Sequence, residues 1–175
     1  MKVKLNKFAA AIVTALASAG AFATDSGTET MDVTASIAEE CSIGNTAALA
    51  FGQLSVLANG TASSAASDSL SGGTFDVICT SGTTTPKLRF SSANAGSTNS
   101  FRLVGADATT YIVYTISESG GTAIAHDTAA AFTGLDADGT TKNLGIVGSI
   151  AASEKSGKAK QAYTDTITIT SSYGI

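Results

Sequence analysis

Thr30-Met31-Asp32-Val33-Thr34-Ala35-Ser36-Ile37 sets an apolar residue at every odd position and a polar one at every even position. Strict period two over eight residues is the pattern of a β-strand with one apolar and one polar face. Working outward, the same texture returns in short pieces at 48–54, 74–80, 87–90, 101–104, 111–117, 144–150 and 163–173. Turn-forming residues separate the pieces, among them Asn59-Gly60, Ser71-Gly72-Gly73, Gly120-Gly121 and Asp138-Gly139. Gly supplies left-handed backbone, and Asn and Asp tolerate it. Many short strands punctuated this way predict an all-β sandwich. Residues 62–70 could form one helical turn, against a high Ser content.

Composition agrees. The 175 residues include 22 Ser, 25 Thr and 18 Gly, and only 14% are charged, while 43% are hydrophobic. Ser, Thr and Gly disfavour helix, and β-branched Thr favours strand, so a helical bundle is excluded. A single His rules out a multi-His metal site, and a net charge of -4 argues against a nucleic-acid partner. No metal or cofactor is expected.

Residues 1–23 have the layout of a secretory signal peptide: Lys2, Lys4 and Lys7, then an apolar run from Phe8 to Ala17, then small residues ending in Ala21-Phe22-Ala23. The apolar run is shorter than the roughly 20 residues a membrane span requires, and no later segment is longer. An exported chain matures in an oxidising compartment, where its two cysteines, Cys41 and Cys79, have one intramolecular pairing. One disulfide between them is therefore expected.

Three short motifs invite a chemical reading. His126-Asp127 has the residue types of an acid–base pair, but no nucleophile stands in a recognisable strand-turn setting. Leu135-Asp136-Ala137-Asp138-Gly139 opens like a calcium loop and then lacks its closing Glu, with Gly145 in that place. A turn is the better reading. Gly157-Lys158 lacks the other residues of a phosphate loop, and Lys155, Lys158 and Lys160 read as a solvated patch or one that pairs with acidic groups of a neighbouring subunit. No catalytic residue is assigned, and the chain is not expected to be an enzyme.

Several features then converge in a fixed order. Cys41 follows the alternating segment, Phe51-Gly52 comes next, and Val77-Ile78-Cys79-Thr80-Ser81-Gly82 carries the second Cys. Tyr111-Ile112-Val113-Tyr114 follows, and the chain closes with Tyr163-Thr164-Asp165-Thr166-Ile167-Thr168-Ile169 and Tyr173. Together these resemble the spore coat protein U domain, the fold of pilins in archaic (Csu-type) chaperone-usher systems.

The resemblance implies an immunoglobulin-like β-sandwich that lacks one strand and is completed by a donor strand from a neighbouring subunit. It implies residues 24–37 as the donor extension, with Met31, Val33, Ala35 and Ile37 entering the neighbour's groove, and 38–175 as the pilin domain. It also implies an acceptor groove, for which Val77, Leu88, Phe90, Ile167 and Ile169 are the expected lining. A periplasmic chaperone would grip the C-terminal strand at Ile167, Ile169 and Tyr173, and an outer-membrane usher would pass the subunit to the surface. Spacing alone favours residues 30–37 as the first strand of their own sandwich; the resemblance turns the balance to a donor strand. The alternative function is a monomeric secreted module that binds carbohydrate or another surface through its loops.

Overall fold

A computed structural model describes residues 27–54 and 69–174. The expected signal peptide at 1–23 lies outside the described residues, as do residues 62–68 of the expected helical turn. The chain divides between Ala35 and Ser36 into two units.

Among the described residues there are ten strands: β1 Cys41–Gly44, β2 Ser69–Cys79, β3 Lys87–Ser92, β4 Arg102–Gly105, β5 Tyr111–Val113, β6 Thr115–Glu118, β7 Ala123–Ile124, β8 Lys142–Ile150, β9 Tyr163–Thr164 and β10 Ile167–Ser172. A single α-helical turn, α1 Ala152–Lys155, follows β8. Residues 27–40 have no regular secondary structure, so the alternating segment finds no strand partner among the described residues.

The largest sheet has the order β1-β2-β8-β6-β7, with every pair antiparallel. Opposite stand the ladder β10-β3 and the three-stranded β5-β4-β9. Period two explains the packing: in β8, Leu144, Ile146 and Ile150 are buried on one face. Phe75 of β2 meets Phe90 of β3 edge to face at 5.8 Å, which joins the two layers. The buried apolar side chains form one cluster, as a two-layer sandwich requires. Cys41 and Cys79 are register partners across β1 and β2, and the expected disulfide joins them.

Three expected strands differ in outcome. Residues 48–54 form no strand: Asn45 (φ 48°) just before the segment and Gly52 (φ 64°) within it adopt left-handed backbone, and Leu49 and Phe51 sink toward Gly148. A Cβ on Gly148 would come within 2.6 Å of Leu49 and 2.7 Å of Phe51, so only glycine leaves room for them there. The expected strand 111–117 breaks at Tyr114 into β5 and β6, which belong to different sheets. The expected strand 163–173 breaks at Asp165-Thr166 into β9 and β10. One hydrogen bond ties the two breaks together: the Tyr114 hydroxyl donates to Asp165 Oδ2 at 2.6 Å. β1 and β7 are strands that the period-two reading missed, being only four and two residues long.

Candidate functional site

Among the described residues β10 is hydrogen-bonded to β3 on one side only, and β1 to β2 on one side only. The opposite edge of β3 is not free, because Leu88 bridges Ala130 and Phe90 bridges His126. Cα atoms of β1 and β10 come within 8 Å of each other, so the two unpaired edges face one region of the molecule. An exposed edge is a row of unmatched N–H and C=O groups, ready to pair with an added strand.

Between these edges opens a cleft of about 540 Å³ whose apolar walls include Ile43, Leu49, Phe51, Leu103, Ile167 and Ile169. A second cavity of about 640 Å³ shares Leu49, Phe51, Leu103 and Asp165 with the first and ends at Lys155, Lys158 and Lys160. The shared walls make the two one groove. Ile43, Leu49, Phe51, Leu103, Ile167 and Ile169 of its lining are only half-buried, although they pack directly on the core, while Phe75 and Ile146 form a buried floor.

Asp165 stands where the two cavities meet. Its carboxylate accepts from the Tyr114 hydroxyl, from Asn94 Nδ2 at 2.9 Å and from the Thr166 N–H at 2.8 Å. Burial, then the bond to Asp165, pushes the Tyr114 phenol well above its ordinary pKa, so it stays a neutral donor. The polar spot in the groove is thus internally satisfied and fixed in place.

Of the five residues expected to line a groove, the structure brings Ile167 and Ile169 to it. Val77, Leu88 and Phe90 are instead core residues, 1%, 2% and 1% exposed. They lie on strands whose edges are already occupied, so their inward faces meet the opposite sheet. Tyr173 is half-buried just past the end of β10. Met31, Val33 and Ile37 are 86%, 87% and 87% exposed, and Ala35 is exposed as well. The lining residues that sequence reasoning did not name are Ile43, Leu49, Phe51 and Leu103; the two-residue spacing of Leu49 and Phe51 was the available signal.

The other sequence motifs have structural partners. His126 Nε2 accepts the Ser92 N–H at 2.9 Å, its Nδ1 meets Asn99 Oδ1 at 2.8 Å, and its ring stands edge-on to Phe101 at 5.1 Å. Both ring nitrogens are therefore engaged, and Asp127 pairs with Arg89 at 3.4 Å. Asp138 accepts from the Thr140 backbone and hydroxyl and from Lys142 Nζ at 2.6 Å, a turn closed by its own residues. The Lys142 ammonium, first, and Thr140 hold the Asp138 carboxyl below the usual carboxylate range. Lys158 Nζ donates to the Tyr111 carbonyl at 2.6 Å. Among the described residues no group of three or more His, Cys, Asp or Glu could hold a metal ion, and no helix is long and apolar enough to cross a membrane.

A family model described as the Spore Coat Protein U domain matches residues 27–170. Among solved structures, the CsuC–CsuE chaperone–tip adhesion subunit pre-assembly complex from archaic chaperone-usher Csu pili of Acinetobacter baumannii matches with a TM-score of 0.50 and 15% identity, over 77% of this chain and 40% of that one. A chaperone–tip adhesin complex of CFA/I fimbriae matches with a TM-score of 0.48 and 15% identity, over 64% of this chain and 37% of that one. The chain therefore spans well under half the length of either. No curated protein matches the sequence. The likeness to the Csu structure establishes a shared immunoglobulin-like all-β fold.

Proposed function

The chain belongs to the Spore Coat Protein U domain family, and from that membership we propose that it is a structural subunit of a cell-surface pilus, assembled by the chaperone-usher pathway through donor-strand exchange. The observation that carries this reading is a pairing within one sequence. The domain leaves two strand edges open on an apolar groove, and the same chain carries an exposed extension written in strand alternation.

Strand addition makes physical use of both. Main-chain hydrogen bonds along the free edge of β10 supply affinity, and alternate side chains entering the groove fix the register. Met31, Val33, Ala35 and Ile37 of residues 24–37 are the donor side chains, and domain 38–175 is the acceptor. Burying the three large ones contributes on the order of 5 to 10 kcal/mol before ordering costs, enough for a long-lived joint. Before assembly the groove needs cover, and a periplasmic chaperone pairing with β10 at Ile167, Ile169 and Tyr173 provides it. Copies of this chain or related pilins, the chaperone and an outer-membrane usher are the partners. The subunit passes through the periplasm to the fimbrium, where it supports adhesion and biofilm formation. In this role the chain is not an enzyme, and its chemistry is association alone.

The test is a denaturing gel of the purified chain with and without boiling. Multimers should form a ladder that heat removes, and deletion of residues 24–37 should erase it. A truncated chain that still polymerises refutes the reading, as does a wild type that remains a soluble monomer without a chaperone.

A further inference from the structure

The groove wall has an order of its own. From Gln161 to Ser171 every odd residue is half-buried, while 162, 164, 166, 168 and 170 are exposed, so the alternation of β10 runs unbroken through β9 despite the break between them. Read backward, the inward series is Ile169, Ile167, Asp165, Tyr163 and Gln161, that is, apolar, apolar, carboxylate, aromatic, amide. The extension has a matching series of Met31, Val33, Ala35 and Ile37, three large side chains and one small one. Asp165 has its protein donors but is only half-buried, and a branched aliphatic side chain set against the exposed part of its carboxylate would desolvate the charge without offering a further hydrogen bond, which is costly. Ala35 is the donor residue that leaves that space open.

Orientation follows from the sheets. Among the described residues every pair of named strands is antiparallel, the isolated Phe90–His126 bridge being the parallel exception, and antiparallel ladders are the more stable per residue. With Ala35 opposite Asp165 and the strand antiparallel, Val33 falls opposite Ile167, Met31 opposite Ile169 and Ile37 opposite Tyr163. The three large residues then all meet apolar or aromatic wall.

The charges are compatible with that register. Residues 24–40 carry Asp25, Glu29, Asp32, Glu39 and Glu40 and no Lys or Arg, whereas the second cavity is lined by Lys158 and Lys160; Lys155 beside them is buried at 1% exposure and not solvated as expected. Within its own subunit Glu39 already holds Thr84, and Lys158 holds the Tyr111 carbonyl. The register set by Ala35 brings Glu40 of the incoming copy level with Lys160.

We propose that a second copy of this chain docks antiparallel to β10 with Ala35 opposite Asp165, and that Lys160 captures Glu40 at the groove's end. The proposal rests on the donor-strand reading above and specifies its register and direction. Residues 34 and 166 then face each other on the solvent side, at the roughly 5 Å Cα spacing of opposed residues, which is within disulfide reach. Residues 34 and 168 are offset by two, about 7 to 8 Å apart.

The full chain carrying Thr34→Cys and Thr166→Cys should give covalent, boiling-resistant multimers on oxidation, and Thr34→Cys with Thr168→Cys should give few. Preferential cross-linking through position 168, or through neither while the heat-sensitive ladder persists, overturns the register. Loss of the ladder in the wild type as well would instead sink the donor-strand reading itself. A charge test stands beside this one: Lys160→Glu should slow assembly about tenfold at low salt, and a Glu40→Lys partner should restore the rate. An unchanged rate for Lys160→Glu, or rescue by Glu29→Lys in place of Glu40→Lys, overturns the capture.

Discussion

β8 and β10 are both written in period two, but their apolar faces end in different states. β8 lies between β2 and β6, and Leu144, Ile146 and Ile150 are sealed at 5%, 6% and 0% exposure. Among the described residues β10 has β3 hydrogen-bonded on one side and no strand hydrogen-bonded on the other, and Ile167 and Ile169 remain half-buried beside a cleft. The local pattern is the same in the two strands; the number of neighbours differs. An amphipathic strand with one open edge has no cover for its apolar face among the described residues, and such an edge is the kind that an added strand can fill.

The contrast can be broken most forcefully in the sealed region. Phe90→Ala removes a ring packed against Phe75 and Phe132 and should cost up to about 5 kcal/mol, seen as a lowered denaturation midpoint of the subunit. Replacing both Cys41 and Cys79 by Ala opens a loop with a separation of 38 residues and should cost about 4 kcal/mol by chain entropy, measured the same way. At the cleft the outcome divides. Ile169→Ala should cost the isolated subunit only about 1 to 2 kcal/mol, because the side chain is half-exposed before assembly, while shortening the lifetime of a polymer joint about tenfold. If Ile169→Ala destabilises the subunit as much as Phe90→Ala does, the distinction between sealed and open faces fails.

The smallest effect belongs to a turn remote from both regions. Asp107 accepts from the Thr109 and Thr110 backbones and the Thr110 hydroxyl, which hold its carboxyl well below the usual carboxylate range. A depressed folded pKa stabilises above the unfolded value and loses that contribution as pH falls through the folded one. Asp107→Asn should therefore melt slightly below the wild type at pH 7, with the gap closing as pH drops below about 4.

Strand alternation, turn residues and two cysteines in a chain expected to be exported were enough to read an all-β sandwich and its disulfide. Harder to read was which inward residues would find a cover. Val77, Leu88 and Phe90 alternate as Ile167 and Ile169 do, and only the sheet order, a property of pairings far apart in sequence, separates core from groove. The breaks in 111–117 and 163–173 meet at a hydrogen bond between Tyr114 and Asp165, a contact across 51 residues that neither segment announces. Residues 48–54 have strand-like alternation, but Asn45 and Gly52 turn the backbone and Gly148 opens the hollow that receives Leu49 and Phe51. That is tertiary context overriding a local pattern.

The central claim is that residues 30–37 of one copy complete the groove of another. Amide hydrogen exchange, read peptide by peptide on the full chain before and after polymerisation, tests it most directly. The account predicts that 30–37 and β10 gain protection together on assembly, while the centre of the large sheet at β2 and β8 stays as it was. Polymers in which residues 30–37 exchange as freely as in the monomer would contradict it.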